Sequence, residues 1–209
     1  FLLLDMDLPG ISVEPIVFAS GTHEVNQVFF DDVRVPIANI VGEINQGWSV
    51  AKYLLEFERG GGGTAAQQSA LDRVRQLAGS ITTDAGTLLD DREFKTRLDA
   101  TAIELQAVQY TELRIMAALS RGQNPGPESS IMKNLGANLG QRITELALEA
   151  VGNYIVPHQP WQPGSNDIPV GPSAGTMAMP RYFNLRASSI AGGSNEVQKN
   201  IVAKLVLGL

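Results

Sequence analysis

Residues 48–64 read WSVAKYLLEFERGGGGT, and the fold turns on how that stretch is read. Asn45 and Gly47 supply turn chemistry before it. Val50, Leu54, Leu55 and Phe57 recur near the helical period, so a helix is predicted to begin here. Glu56 and Glu58 stand two residues apart, about 200° around such a helix, which puts one towards a core or cleft and the other towards water. Arg59 follows, and then four glycines, Gly60 to Gly63. Each glycine inside a helix costs about 1 kcal/mol relative to alanine, so the run marks either a helix break or a place where something large packs against bare backbone. The second reading is favoured, and it predicts one helix from Gly47 towards Ala78, through the glycines.

Composition narrows the function classes. The chain has 209 residues, 44% of them apolar, with mean hydropathy near zero, which is enough for a real core. A net charge of −6 with no long basic run argues against nucleic-acid binding. The absence of cysteine removes disulfides and thiolate metal sites and fits a reducing, cytoplasmic setting. No apolar run reaches the roughly 18 residues that span a bilayer. Two histidines, His23 and His158, make a histidine metal site improbable, so no metal is expected.

The opening, FLLLDMDLPGISVEPI, has no initiator methionine and starts on an apolar, strand-like run, so the chain reads as a fragment of something longer. Residues 1–4 form a short run predicted to be buried, and 12–18 and 24–30 are rich enough in β-branched and aromatic residues for strands. Asp31 and Asp32 turn the chain into Val33, Arg34 and Val35, where Pro36 ends pairing. This is too little sheet to stand alone. Beyond residue 45 the pattern is helical. A second helix is predicted over about 92–121, with Asp90 or Asp91 as its cap and an apolar set of Phe94, Leu98, Ile103, Leu105, Val108, Leu113, Met116 and Leu119. A third covers 128–151, entered through Pro127 and closed by Gly152. Residues 152–180 hold six prolines, at 157, 160, 163, 169, 172 and 180, and predict a long irregular segment. A short helix over 181–190 and a last one over 196–207 follow.

Between those last two lies Gly192-Gly193-Ser194-Asn195. Backbone N–H groups and a positive dipole end converge at such a turn, which suits phosphate or an electron-rich ring edge, although many glycine-rich helix starts are ordinary turns. Glu196 sits in the first helical turn, where a carboxylate is favourable for the dipole, and is read as structural.

Four segments, LLLDMDLPGISVEPI, VNQVFFDDVRVP, residues 41–59 and RASSIAGGSNEVQKNIVAKLVLGL, resemble the acyl-CoA dehydrogenase family, in family order over nearly the whole chain. The fold implied is mainly α with a β portion: residues 1–44 as the end of a middle β-domain, and 45–209 as a C-terminal four-helix-bundle domain. The activity implied is α,β-dehydrogenation of an acyl-CoA thioester. A carboxylate takes the α proton while hydride passes to flavin, and hydrogen bonds polarise the thioester carbonyl. FAD is the implied cofactor. An electron-transfer flavoprotein and a homologous subunit, in a homo- or hetero-tetramer, are the implied partners. Many members carry their base at the position of Gly192, and glycine is no base. Isovaleryl- and long-chain-type members carry it on the bundle helix before an arginine, which Glu58-Arg59 matches. The resemblance therefore assigns Glu58 as the catalytic base, Arg59 and Glu56 to the substrate side, and Gly192, Gly193, Ser194 and Asn195 to the flavin.

Two family elements are absent. The Arg-x-x-Phe-Gly element that reaches a neighbouring subunit's flavin is replaced by LAGSITTDAGTL at 77–88, and the Gln-x-x-Gly-Gly element by EAVGN at 149–153. Either a homologous partner supplies the missing contacts, or the chain is a non-catalytic structural subunit. Trp161, His158 and the pair Met177 and Met179 are read as interface residues. The glycine run is compatible with a bulky or branched acyl group, or with close packing of a cofactor.

Overall fold

The computed structural model describes residues 1–57, 63–123, 126–159, 164 and 166–209. Glu58, Arg59 and Trp161 lie outside the described residues. The chain divides into two compact units, one of residues 1–18 and 22–61 and one of residues 19–21 and 62–209.

In the first unit, β1 (Ile11–Val17) and β2 (His23–Phe30) pair antiparallel, with Ile11 opposite Phe30 and Val13 opposite Val28. Alternation along each strand puts these four on one face and Ile16, Val25 and Phe29 on the other. Val13, Ile16, Val25, Phe29 and Phe30 are nevertheless all exposed. The opening run, expected to be buried, is exposed at Phe1, Leu2 and Leu3, and is held only by a bridge from Leu2 to Ile40 and by Leu3 N–H donating to Asn39 O at 3.0 Å. Residues 33–35 make no ladder, because Asp32 at φ +46° turns the chain away and Pro36 leads into a 3-10 turn, Ile37–Asn39. α1 (Gly47–Phe57) ends this unit's described part.

The predicted continuous helix is two helices. α2 (Thr64–Ser80) begins afresh, with Gly63 at φ −107° and ψ −1° as its unassisted cap. Among the described residues no atom lies within 4 Å of where a Gly63 Cβ would stand, and Gly60, Gly61 and Gly62 lie outside the described residues.

α3 (Arg92–Leu119) starts as its sequence predicts, with Asp91 accepting from Phe94 N–H at 2.8 Å. A two-residue hairpin, β3 (Thr82–Thr83) with β4 (Gly86–Thr87), joins it to α2. α4 (Glu128–Val151) follows Pro127 and closes at Gly152, whose φ of +62° suits the residue after a helix. The irregular segment is interrupted by 3-10 turns at Gly152–Ile155 and Ser173–Gly175. α5 (Ala178–Leu185) starts earlier than predicted, because Pro180 falls in its first turn, where no N–H is needed. A 3-10 turn, Arg186–Ser189, leads to α6 (Asn195–Val202), which widens into a π turn at Ala203–Leu207.

α4 is the hub: it packs against α2, α3, α5 and α6, and α2 also packs on α3. Arg97 pairs with Glu149, and Arg142 with Glu104 at 2.7 Å, which fixes α3 antiparallel to α4. The core is Leu71, Val74, Leu77 and Ala78 from α2, Phe94, Leu98, Leu105 and Val108 from α3, and Leu139, Ile143, Leu146 and Ala150 from α4. Ile103, expected inside, is 68% exposed. It lies about 180° around α3 from the 98–105 seam, with Tyr110 one heptad on. Thr101 is buried in that seam instead, its hydroxyl bonded to Arg97 O at 2.8 Å.

Candidate functional site

The closing turn is built from both sides. Before it, Ile190 and Ala191 N–H groups donate to Ala187 O at 2.9 and 2.8 Å, which ends the 3-10 turn. Gly192 and Gly193 then take φ values of +67° and +89°, a left-handed pair that side chains disfavour. After it, Ser194 caps α6 by accepting from Val197 N–H at 3.3 Å. Gln198 reaches back and donates to Gly192 O at 3.1 Å. The two glycines differ in their surroundings. A Cβ on Gly193 would meet Gln198 Nε2 at 2.5 Å, whereas a Cβ on Gly192 would look into open space.

The start of α6 carries its own anion. The Glu196 carboxyl is held below the usual carboxylate range by its own backbone N–H and then by the Ser194 hydroxyl, with Lys199 and Lys133 adding smaller attractions. A carboxylate already answers the helix dipole there, so the bare face at Gly192 suits an uncharged ring edge better than a phosphate.

α4 holds this turn in place. Asn195 Oδ1 accepts from Lys133 Nζ at 3.0 Å, and Asn195 Nδ2 donates to Asn138 Oδ1 at 3.3 Å. Gln141 Nε2 donates to Leu185 O at 3.2 Å and Arg186 O at 3.3 Å. Arg186 donates in return to Gln141 O at 3.1 Å and to Thr144 Oγ1 at 3.0 Å. Gly192, Gly193, Ser194 and Asn195 are thus brought together as one turn. Lys133, Asn138, Gln141 and Arg186 were not singled out from sequence. The first three are polar residues of α4, set among the small residues Gly136, Ala137 and Gly140, and Arg186 opens the 3-10 turn after α5.

In the first unit, Glu56 falls in the last turn of α1, and Glu58 and Arg59 lie outside the described residues. The start of α2 is anchored nearby in sequence. The buried Thr64 hydroxyl donates to the Glu112 carboxylate, and Gln67 Nε2 donates to Gly136 O at 2.7 Å.

The two stretches that stand in place of the expected flavin elements, 77–88 and 149–153, each carry one carboxylate. Asp84 stands in the β3–β4 turn. An open cleft of about 540 Å³ at the end of α4 is lined by Glu145, Glu149, Gly152, Asn153 and Tyr182 among others. Both glutamates are paired, Glu145 with Arg186 at 2.8 Å and Glu149 with Arg97. His158 is exposed, and Met177 and Met179 are half-buried. Among the described residues, no helix is long and apolar enough to cross a membrane and no cluster is placed to hold a metal ion.

Comparison with known proteins assigns the fold to a family. The family model for the acyl-CoA dehydrogenase C-terminal domain matches residues 45–207. Acyl-CoA dehydrogenase IpdE1 of Mycobacterium tuberculosis is 36% identical over 210 residues, covering 100% of this chain and 50% of that protein. The protein of the same name from Mycolicibacterium smegmatis is 33% identical over 214 residues, covering 100% of this chain and 48% of that protein. Among solved structures, the ChsE4-ChsE5 complex from Mycobacterium tuberculosis superposes with a TM-score of 0.80 at 26% identity, over 100% of this chain and 52% of that one. The chain thus spans about half the length of the curated relatives it matches. Mainly helical with small sheets, and matched along most of its length to that C-terminal domain, the chain belongs to the acyl-CoA dehydrogenase family.

Proposed function

We propose that this chain is the C-terminal part of an FAD-dependent acyl-CoA dehydrogenase subunit, an oxidoreductase acting on the CH–CH bond next to a CoA thioester. The observation that carries the reading is the match of residues 45–207 to the family's C-terminal domain. In this reading residues 1–44 close a middle β-domain, and the apolar side chains exposed on both faces of the β1–β2 hairpin support its belonging to a larger sheet.

The residues present fit a flavin on one count. Gly192 offers bare backbone and open space, while Gly193, Ser194 and Asn195 are internally tied and so preorganised. FAD, when bound, supplies the hydride acceptor. The chain's own part is to hold the ring edge at the Gly192 turn and to remove the α proton of the thioester with Glu58. Arg59 and Glu56 serve the substrate side. Burial of such a base in a dry cleft raises its basicity. Replacing Glu58 by Gln is expected to reduce turnover by about 10²–10⁴-fold while FAD stays bound. Normal turnover in that variant removes the assignment.

The replacement of both expected flavin elements, at 77–88 and 149–153, supports a homologous partner subunit that supplies the missing contacts. The ChsE4-ChsE5 relative is itself a complex, and the exposed Ile103 and Tyr110 face of α3 offers apolar area for association. The same replacement favours a second reading, a structural subunit without chemistry. FAD counted per chain, in the full-length protein alone and mixed with a homologous subunit, separates the two. Anaerobic reduction with a panel of acyl-CoAs, from short linear to steroid side-chain esters, identifies the acyl group. Reoxidation by electron-transfer flavoprotein rather than by air identifies the electron acceptor.

A further inference from the structure

Gly192 and Gly193 have no side chains with which to fix their own position, so their surroundings must do it. Gln198 ties the turn from within, at 3.1 Å to Gly192 O. From outside, the only side-chain bonds from α4 to residues 192–195 among the described residues run through Asn195, to Lys133 at 3.0 Å and to Asn138 at 3.3 Å. An ammonium is a donor only, so Lys133 also decides which end of the Asn195 amide accepts and which donates. Lys133 is half-buried, and ordering so long a side chain costs entropy that a freely solvated lysine keeps. The acid facing it is Glu196, the residue after Asn195. Between the two α4 contacts, Gly136 O accepts from Gln67 Nε2 at 2.7 Å. One short stretch of α4 therefore sets both the closing turn and the start of α2.

We propose that Lys133 and Asn138 are positioning residues: through Asn195 they set where the backbone of residues 192–194 stands, and with it the fit of the flavin ring. The second clause rests on the flavin reading given above, and the first does not. The bond from Lys133 is charge-assisted, roughly twice as strong as a neutral one, so it carries most of the effect.

Two measurements on the full-length protein test this. In the flavin-free protein, Lys133→Met is expected to raise amide hydrogen exchange in residues 191–197 by about tenfold, while exchange in α2 and α3 stays unchanged. Lys133→Arg keeps a donor-only cation and is expected to restore most of the protection. In FAD titrations, Lys133→Met is expected to weaken binding by about tenfold and to shift the flavin absorbance band, with Lys133→Arg again close to the unmodified protein. Unchanged exchange in Lys133→Met overturns the positioning role. Raised exchange with unchanged FAD affinity and spectrum overturns the link to the flavin. If the unmodified protein binds no FAD with its partner present, the flavin reading itself fails, and the exchange result still judges the anchor. Should Lys133→Met not fold, Asn138→Ala removes only the acceptor for Asn195 Nδ2. It is expected to move the same amides in the same direction by less, and no movement there overturns the proposal.

Discussion

Arg186 donates to Glu145 at 2.8 Å across the groove between the 3-10 turn that opens at Arg186 and α4. Its guanidinium carbon also lies 4.2 Å from the Tyr182 ring centroid, and its remaining N–H groups reach Tyr182 O, Gln141 O and Thr144 Oγ1. A planar five-donor fork makes this set of contacts, and an ammonium does not. Arg186→Ala is expected to cost about 2 kcal/mol, because it strands part-buried acceptors. Arg186→Lys is expected to recover less than half. Urea unfolding of the two variants against the unmodified protein checks both, and equal midpoints would show that the pair at the turn is idle.

Acid should weaken the 3-10 turn Leu88–Asp90 and the start of α6. The Asp90 carboxyl is held below its ordinary value of 3.8, first by the Thr87 backbone N–H and then by the Thr87 hydroxyl. A depressed folded value means that the contribution is complete above 3.8 and is lost as pH falls through the lower folded value. The Glu196 contribution is complete above 4.5 and is lost in the same sense. Asp90→Asn and Glu196→Gln should therefore lower the urea midpoint at neutral pH, and the gap to the unmodified protein should close at pH values below those two figures.

The outer face of α3 predicts an effect on assembly without one on folding. Ile103 and Tyr110 are each 68% exposed, so replacing both with serine should leave the unfolding midpoint of the isolated subunit within about 0.5 kcal/mol. If that face meets a homologous subunit, sedimentation should show weaker association in the double variant. Unchanged association at equal concentration would assign the face to solvent.

Thr64 predicts the opposite balance. Its hydroxyl is buried and donates to Glu112, so Thr64→Val leaves a part-buried carboxylate short of one donor and should cost about 1–2 kcal/mol. Glu112→Gln retains an acceptor for the hydroxyl and should cost less. Thermal unfolding ranks the two.

Much of the bundle was legible in the sequence because local chemistry and tertiary packing agree there. Asp91 caps α3, Pro127 leads into α4 and Gly152 ends it, each by a mechanism that needs no distant partner. The misreadings come where a distant partner decides. Ile103 is as apolar as Leu98, and only the position of the α3 seam against α2 and α4 puts one outside and the other in the core. The run ending at Gly63 was read as continuous helix because its glycine cost was set against something large packing on bare backbone, and α2 begins only at Thr64. The closing turn was visible as Gly192-Gly193-Ser194-Asn195. Its anchors were not, since Lys133 lies 62 residues from Asn195 and a lone lysine in a helix usually means solvent.

The hub position of α4 has a consequence for how the molecule comes apart. With every other long helix of its unit leaning on it, α4 cannot detach in part while its neighbours stay native. Its central amides, around Leu139 and Ile143, should open only when that whole unit melts, which makes them reporters of global stability. A nick in a surface loop would then leave the pieces associated, and a lesion inside α4 would dissolve the unit in one step.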